Sequence, residues 1–126
     1  MKKAVIHIGA SPLQADTLIW AKEAGLYLIA TDINPDAECK NIADEFHNIS
    51  GTDHKSLLKL SFEVSEKFEL VGVYSNSDFS LKAAAMINEA HNLKGCLPNS
   101  LDLSINKVAA KKAMIKNDVP VPKGIE

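Results

Sequence analysis

Residues 4–37 read AVIHIGASPLQADTLIWAKEAGLYLIATDINPDA. Residues 4–8 are a near-continuous run of β-prone, mostly apolar side chains, the pattern of a strand covered on both faces. Gly9, Ala10, Ser11 and Pro12 follow as a tight turn, with Ser11 suited to an N-cap and Pro12 to a first helical turn. The spacing of Leu13, Thr17, Trp20, Ala21 and Ala24 predicts one inward helical face, and Gly25 ends the helix. Residues 27–31 are a second buried strand, closed by Asp32. A strand, turn, helix and strand within about 30 residues form a parallel β-α-β unit.

The rest of the chain repeats this alternation. Asn34, Pro35 and Asp36 form a turn, and residues 37–43 suit a short helix. Residues 45–49 are a weaker third strand. Asp53 caps a helix running to about Lys67, with Leu57, Leu60, Ser61, Val64 and Phe68 inward. Residues 70–74 are a fourth strand, ending in the polar loop Ser75, Asn76, Ser77 and Asp78. A helix over 79–91 carries Ala83, Met86, Ile87 and Ala90 inward. Residues 96–99 suit a last short strand, and residues 100–104 a short helix. Strands alternating with helices imply an α/β fold with a Rossmann-like, doubly wound parallel sheet in three αβα layers.

Ligands of such sheets lie beyond the carboxyl ends of the strands. Three loops share that rim: Gly9, Ala10, Ser11, Pro12, Leu13 and Gln14; Asp32 to Asp36; and Asn76, Ser77, Asp78 and Phe79 with Ser75. The turn at Gly9 and the amides of the following helix could hold an anion, or be a plain turn. Asp32 is placed to bind a ribose hydroxyl pair or to accept nearby backbone amides. Ser77 or Asp78 suits a helix cap, a use compatible with binding a small substrate.

Composition narrows the field. The chain has 126 residues, a net charge of −2, 46% hydrophobic and 24% charged residues, all ordinary for one globular domain. No polyanion such as nucleic acid is implied. All 14 basic residues are lysine, which removes the bidentate guanidinium clamp for phosphate or carboxylate. Cys39 and Cys96 stand alone, as expected for unpaired thiols in a reducing compartment such as the cytoplasm. No apolar run approaches membrane-spanning length. The four histidines are scattered without metal-ligand spacing.

The 19 residues NKVAAKKAMIKNDVPVPKG at 106–124 read as an amphipathic helix and an exit. Val108, Ala109, Ala113 and Ile115 recur at helical spacing, with Lys111, Lys112 and Lys116 mostly opposite. Asn117 and Asp118 tolerate a turn-out, and alternate prolines at 120 and 122 keep the connector extended. Lys107 sits in the first turn, where its charge opposes the helix dipole. It is either a solvated lysine or a cation placed for an anion such as phosphate.

Taken together, these pieces resemble the N-terminal, pre-ATP-grasp domain of the ATP-grasp superfamily, which includes biotin carboxylase, carbamoyl phosphate synthetase and many carboxylate–amine ligases. Residues 7–37 are similar to the family's opening strand, glycine turn, helix and acid-ended strand. VYSNSDFSLKAAAMINEAHNLKG at 73–95 looks like its fourth strand, polar loop and helix. The stretch 106–124 looks like its Asn-Lys helix and Val-Pro-x-Pro exit.

The resemblance implies a larger parent that uses ATP and magnesium to activate a carboxylate as an acyl phosphate, which an amine or ammonia then attacks. It divides the chain into a domain over 1–105 and a connector over 106–126 leading to an absent C-terminal ATP-grasp domain. It assigns ATP phosphate to Lys107. It assigns the acceptor substrate to the Gly9–Gln14 loop, Asp32 and the loop of Asn76, Ser77, Asp78 and Phe79. It implies a domain silent on its own, with no bound nucleotide or metal, free of membrane or nucleic-acid partners and compatible with a homodimer. The turn departs from the family in having a single glycine, and Asp118 stands where relatives often have glycine. Two other classes remain open: a nicotinamide-dinucleotide-binding domain, invited by Gly9 and Asp32, and a flavodoxin-like signalling module, which lacks an acidic pair after the first strand.

Overall fold

The computed structural model describes residues 1–124. Four parallel strands, β1 (Lys3–Ile8), β2 (Tyr27–Thr31), β3 (Glu45–His47) and β4 (Glu69–Tyr74), form one sheet in the order β3-β2-β1-β4. The order runs outward from β1 to β3 and then returns to the far side of β1, so the winding reverses between β1 and β4. This is the doubly wound α/β arrangement expected from the alternation.

Side-chain alternation along the strands builds the two outer layers. Ala4, Ile6 and Ile8 of β1 point to one face, against Leu57, Leu60 and Val64 of α2 (His54–Lys67) and Ala83, Ala84 and Ile87 of α3 (Asp78–Ala90). Val5 of β1 and Leu28 and Ala30 of β2 point to the other, against Leu18 and Ala21 of α1 (Ala15–Glu23). Full burial of each large aliphatic side chain contributes roughly 1.5–3 kcal/mol, so these two clusters hold the sheet between its helices. Beyond the sheet, α4 (Pro98–Ile105) packs on α3, and α5 (Lys107–Lys116) packs on α4.

Several local expectations are corrected. Leu13 is 94% exposed and Trp20 62% exposed, and Ala24 is exposed too. A 3-10 turn over Pro12–Gln14 precedes α1 and shifts its phase, so the inward series is Gln14, Leu18 and Ala21. Residues 37–43 hold only a 3-10 turn, Lys40–Ile42. The third strand stops at His47.

Residues 96–99 are not a strand: Pro98 opens α4 instead. Pro98 has no amide to give a ladder. Nearby, the outer edge of β4 is already served by Asn88, whose carboxamide accepts from Val73 N at 2.9 Å and donates to Val73 O at 2.8 Å. In α5 the side chains turned inward are the half-buried alanines 109, 110 and 113, while Val108 and Ile115 are about half exposed. Asp118 takes the left-handed turn-out with φ +56°, and residues 119–124 follow as coil outside the sheet.

Candidate functional site

The loop after β1 lies at the winding reversal, where doubly wound folds bind their ligands. Gly9 has φ +112°, a conformation that favours glycine, and a Cβ there would overlap the Gln14 carboxamide. The turn's polar groups are bonded internally. Gly9 N donates to Thr31 O at 2.7 Å, Ala10 N to Asp32 Oδ2 at 2.8 Å, and Gln14 N to Ser11 O at 2.9 Å. Gln14 Oε1 accepts both Ser11 N at 2.9 Å and Ser11 Oγ at 3.1 Å. Pro12 has no N–H. The amides of Gly9, Ala10, Ser11 and Gln14 are thus engaged within the fold, while Leu13 N at the 3-10 turn is given no partner among these bonds.

Asp32 also bonds within the fold. Its Oδ2 holds Ala10 and its Oδ1 accepts Asn34 N at 2.8 Å, so both oxygens serve backbone amides. Ser77 stands at the N-cap of α3 but makes no side-chain cap bond. Instead Ser75 Oγ accepts Ser77 N at 3.1 Å and donates to Ile8 O at 2.9 Å, tying the β4 loop to the end of β1.

Beneath the turn lies a buried polar network. His7 is fully buried, and its Nδ1 donates to Gly9 O at 2.7 Å. Its Nε2 lies 3.2 Å from Thr17 Oγ1, which donates to Gln14 O and accepts from Asn76 Nδ2 at 3.3 Å. Tyr74 meets the His7 ring edge-on at 4.3 Å and donates its hydroxyl to Thr17 O. Burial pushes the Tyr74 phenol up to about 12 and holds the His7 imidazole below its ordinary range. The network fixes the shape of the turn and leaves His7 neutral at pH 7.

A cleft of about 240 Å³ opens above Ile8 and Gly9. Of the expected residues it gathers Gly9, Ser11, Gln14, Asp32, Ser77 and Phe79. Ala10, Pro12, Leu13, Asn76 and Asp78 do not line it, and neither does Lys107, an exposed residue at the start of α5. The α5 N-terminus is capped by Asn106, whose Oδ1 accepts Ala109 N at 3.0 Å.

The fourth wall went unassigned in the sequence: Ser50, Gly51 and Thr52 from the loop after β3, with Ser80 from the first turn of α3. The available signal was topological, since the loop after β3 shares the rim with the other strand ends. A larger groove of about 420 Å³ between α4 and α5 carries Leu103, Ala113 and Met114 but no ionisable side chain. Among the described residues no three His, Cys, Asp or Glu side chains cluster as metal ligands, and no helix is long and apolar enough to cross a membrane.

No protein-family model matches the chain, and no curated protein matches it. Solved structures do. Phosphoribosylglycinamide synthetase from Anaerococcus prevotii aligns over 93% of this chain and 29% of its own length, at 26% identity and a TM-score of 0.77. N5-carboxyaminoimidazole ribonucleotide synthetase from Thermotoga maritima aligns over 98% of this chain and 32% of its own, at 22% identity and a TM-score of 0.77. The biotin carboxylase domain of a thermophilic 2-oxoglutarate carboxylase aligns over 93% and 28%, at 20% identity and a TM-score of 0.68. This chain thus spans under a third of the length of these matched structures. Its four-stranded parallel sheet, with helices on both faces, is the fold of the N-terminal, pre-ATP-grasp domain of ATP-grasp superfamily enzymes.

Proposed function

We propose that this chain is the substrate-side domain of an ATP-grasp carboxylate–amine ligase. In that reaction a carboxylate oxygen attacks the γ-phosphorus of ATP and ADP leaves. The amine or ammonia then attacks the acyl carbon, and phosphate leaves. The reading is carried by a fold match that spans nearly all of this chain yet less than a third of each matched structure. Further support is the capped helix that opens on an exposed lysine, followed by a coil leading off the sheet.

In this reading the cleft at Gly9 holds part of the acceptor substrate. Residues 106–126 form the connector to a C-terminal ATP-grasp domain, which supplies the adenine pocket and the magnesium ligands. Lys107 reaches an ATP phosphate as a point charge, and the N-terminal end of α5 reinforces the attraction. The chain alone turns over no ATP. The dinucleotide alternative is the weaker reading: the turn has a single glycine, and each Asp32 oxygen already accepts one backbone amide.

The test uses the longer protein carrying this sequence. Replacing Lys107 by Ala removes one charge-assisted contact worth about 1.5–3 kcal/mol, so kcat/KM for ATP is expected to fall roughly 10- to 100-fold. Unchanged kinetics would remove Lys107 from the site. ATP hydrolysis by purified 1–126 above its own Lys107→Ala variant would overturn the division of labour.

A further inference from the structure

Two side-chain polar atoms in the cleft have no hydrogen-bond partner among the described residues. Gln14 is 8% exposed and its Oε1 is occupied by Ser11, while its Nε2 has no hydrogen-bond partner among the described residues. Ser80 is 7% exposed, and its Oγ has none either. Among the described residues the unpaired side-chain polar atom that is fully enclosed is Thr31 Oγ1, so neither of these two is sealed off. Both open onto the cleft that their residues line.

Two glycines make room for them. A Cβ on Gly9 would overlap the Gln14 amide, and a Cβ on Gly51 would overlap Ser80 Oγ. Donors that are mostly buried yet open to a cleft are poised for a ligand. A ligand oxygen or amide that reaches both takes the place of water there, and matched hydrogen bonds are the means by which such sites discriminate.

The charge of the lining narrows the ligand. Asp32 is its one acidic residue and no lysine belongs to it, nor has the chain an arginine. The amides of Gly9, Ala10, Ser11 and Gln14 are all engaged within the turn or with its neighbours. A phosphate entering here would meet the Asp32 carboxylate with no side-chain cation to offset its desolvation, leaving the first turn of α3 as its attraction.

We infer that the cleft receives an uncharged polar group, a carboxamide or hydroxyl, held by Gln14 Nε2 and Ser80 Oγ, in preference to phosphate. This rests on the cleft being part of the acceptor-substrate site, and it specifies which part of the substrate lodges there.

The test is an NMR titration of the ¹⁵N-labelled chain with acetamide and, separately, with inorganic phosphate at constant ionic strength. Acetamide is expected to shift the Gln14 side-chain NH₂ pair and the Gly51 and Ser80 amides saturably, with phosphate leaving them in place. Gln14→Glu keeps an oxygen for Ser11 and loses the donor, so acetamide binding is expected to weaken about fivefold. Should that variant not fold, Ser80→Ala and the wild-type Gln14 resonances give the same readout. Unweakened binding in both variants overturns the assignment of the two donors. Phosphate saturating these resonances at lower concentration than acetamide overturns the inference and leaves the acceptor-site reading standing. Silence of the cleft toward both probes overturns the inference and the cleft's role together.

Discussion

Asp32 at the end of β2 accepts the backbone amide of Ala10, 22 residues earlier, at 2.8 Å. Its second oxygen holds Asn34 N at the same distance. One carboxylate therefore ties the β1 turn to the start of the next loop. Asp32→Ala leaves both amides without their acceptor and is expected to cost roughly 2–4 kcal/mol, since each bond to a charged group contributes about 1.5–3 kcal/mol less what water restores. Urea unfolding measures this. A loss under about 0.5 kcal/mol would mean that water replaces the carboxylate at no cost.

The two positive-φ glycines separate strain from crowding. Gly25, at φ +77°, has nothing within 4 Å of an added Cβ, whereas Gly9 would drive one into Gln14. Gly25→Ala should cost about 1 kcal/mol, the backbone penalty alone. Gly9→Ala adds overpacking and should cost about 3 kcal/mol or more. Equal losses in denaturant melts would show that the Gln14 side chain swings away freely, and would weaken its part in the cleft.

The layers of this fold were legible because β1 and β2 are buried on both faces. A strand between two helical layers must be apolar along its length, and residues 4–8 and 27–31 advertise that. The Asp53 cap was legible as well: its Oδ1 accepts Ser56 N. The phase of α1 was not, because a 3-10 turn rotates differently from an α-turn and nothing in the apolar spacing marks the switch. The cleft was half legible. Its Gly9 and Asp32 sides follow from topology, but the contact of Gly51 with Ser80 joins residues 29 apart in sequence (80 − 51) and depends on how α2 and α3 settle on the sheet. Ser77, which makes no cap bond while Ser75 Oγ accepts the Ser77 amide, shows the same limit: neighbouring serines are distinguished by orientation alone.

Acid should loosen the protein through the buried His7 and the half-buried His91. Burial holds both His7 and His91 below the ordinary value of 6.5. In the unfolded chain each takes up a proton near that value, while the folded chain resists it. The unfolded state thus binds more protons as pH falls through 6.5, and stability is lost in that window. The urea midpoint is expected to be lower at pH 5.5 than at pH 7.5. His7→Asn, whose amide can replace the Nδ1 donor to Gly9 O, should show a smaller drop. Identical midpoints at the two pH values would place both imidazoles in contact with water.

Asn88 does for β4 what a fifth strand would. The strand is an edge of the sheet, and the carboxamide pairs with both the amide and the carbonyl of Val73. Edge strands expose unpaired backbone groups that otherwise invite association. With Asn88 93% buried (7% exposed), no water easily takes over either bond. Asn88→Ala should cost about 2–4 kcal/mol, for two buried backbone groups left unpaired. Asn88→Asp is the sharper probe, because it keeps the acceptor for Val73 N and replaces the donor to Val73 O by a charged oxygen. It should be at least as damaging at pH 7, and partly relieved near pH 4, where a protonated carboxyl can donate again. If Asn88→Asp melts like the parent protein at pH 7, Val73 O has another partner and the carboxamide is not what closes this edge.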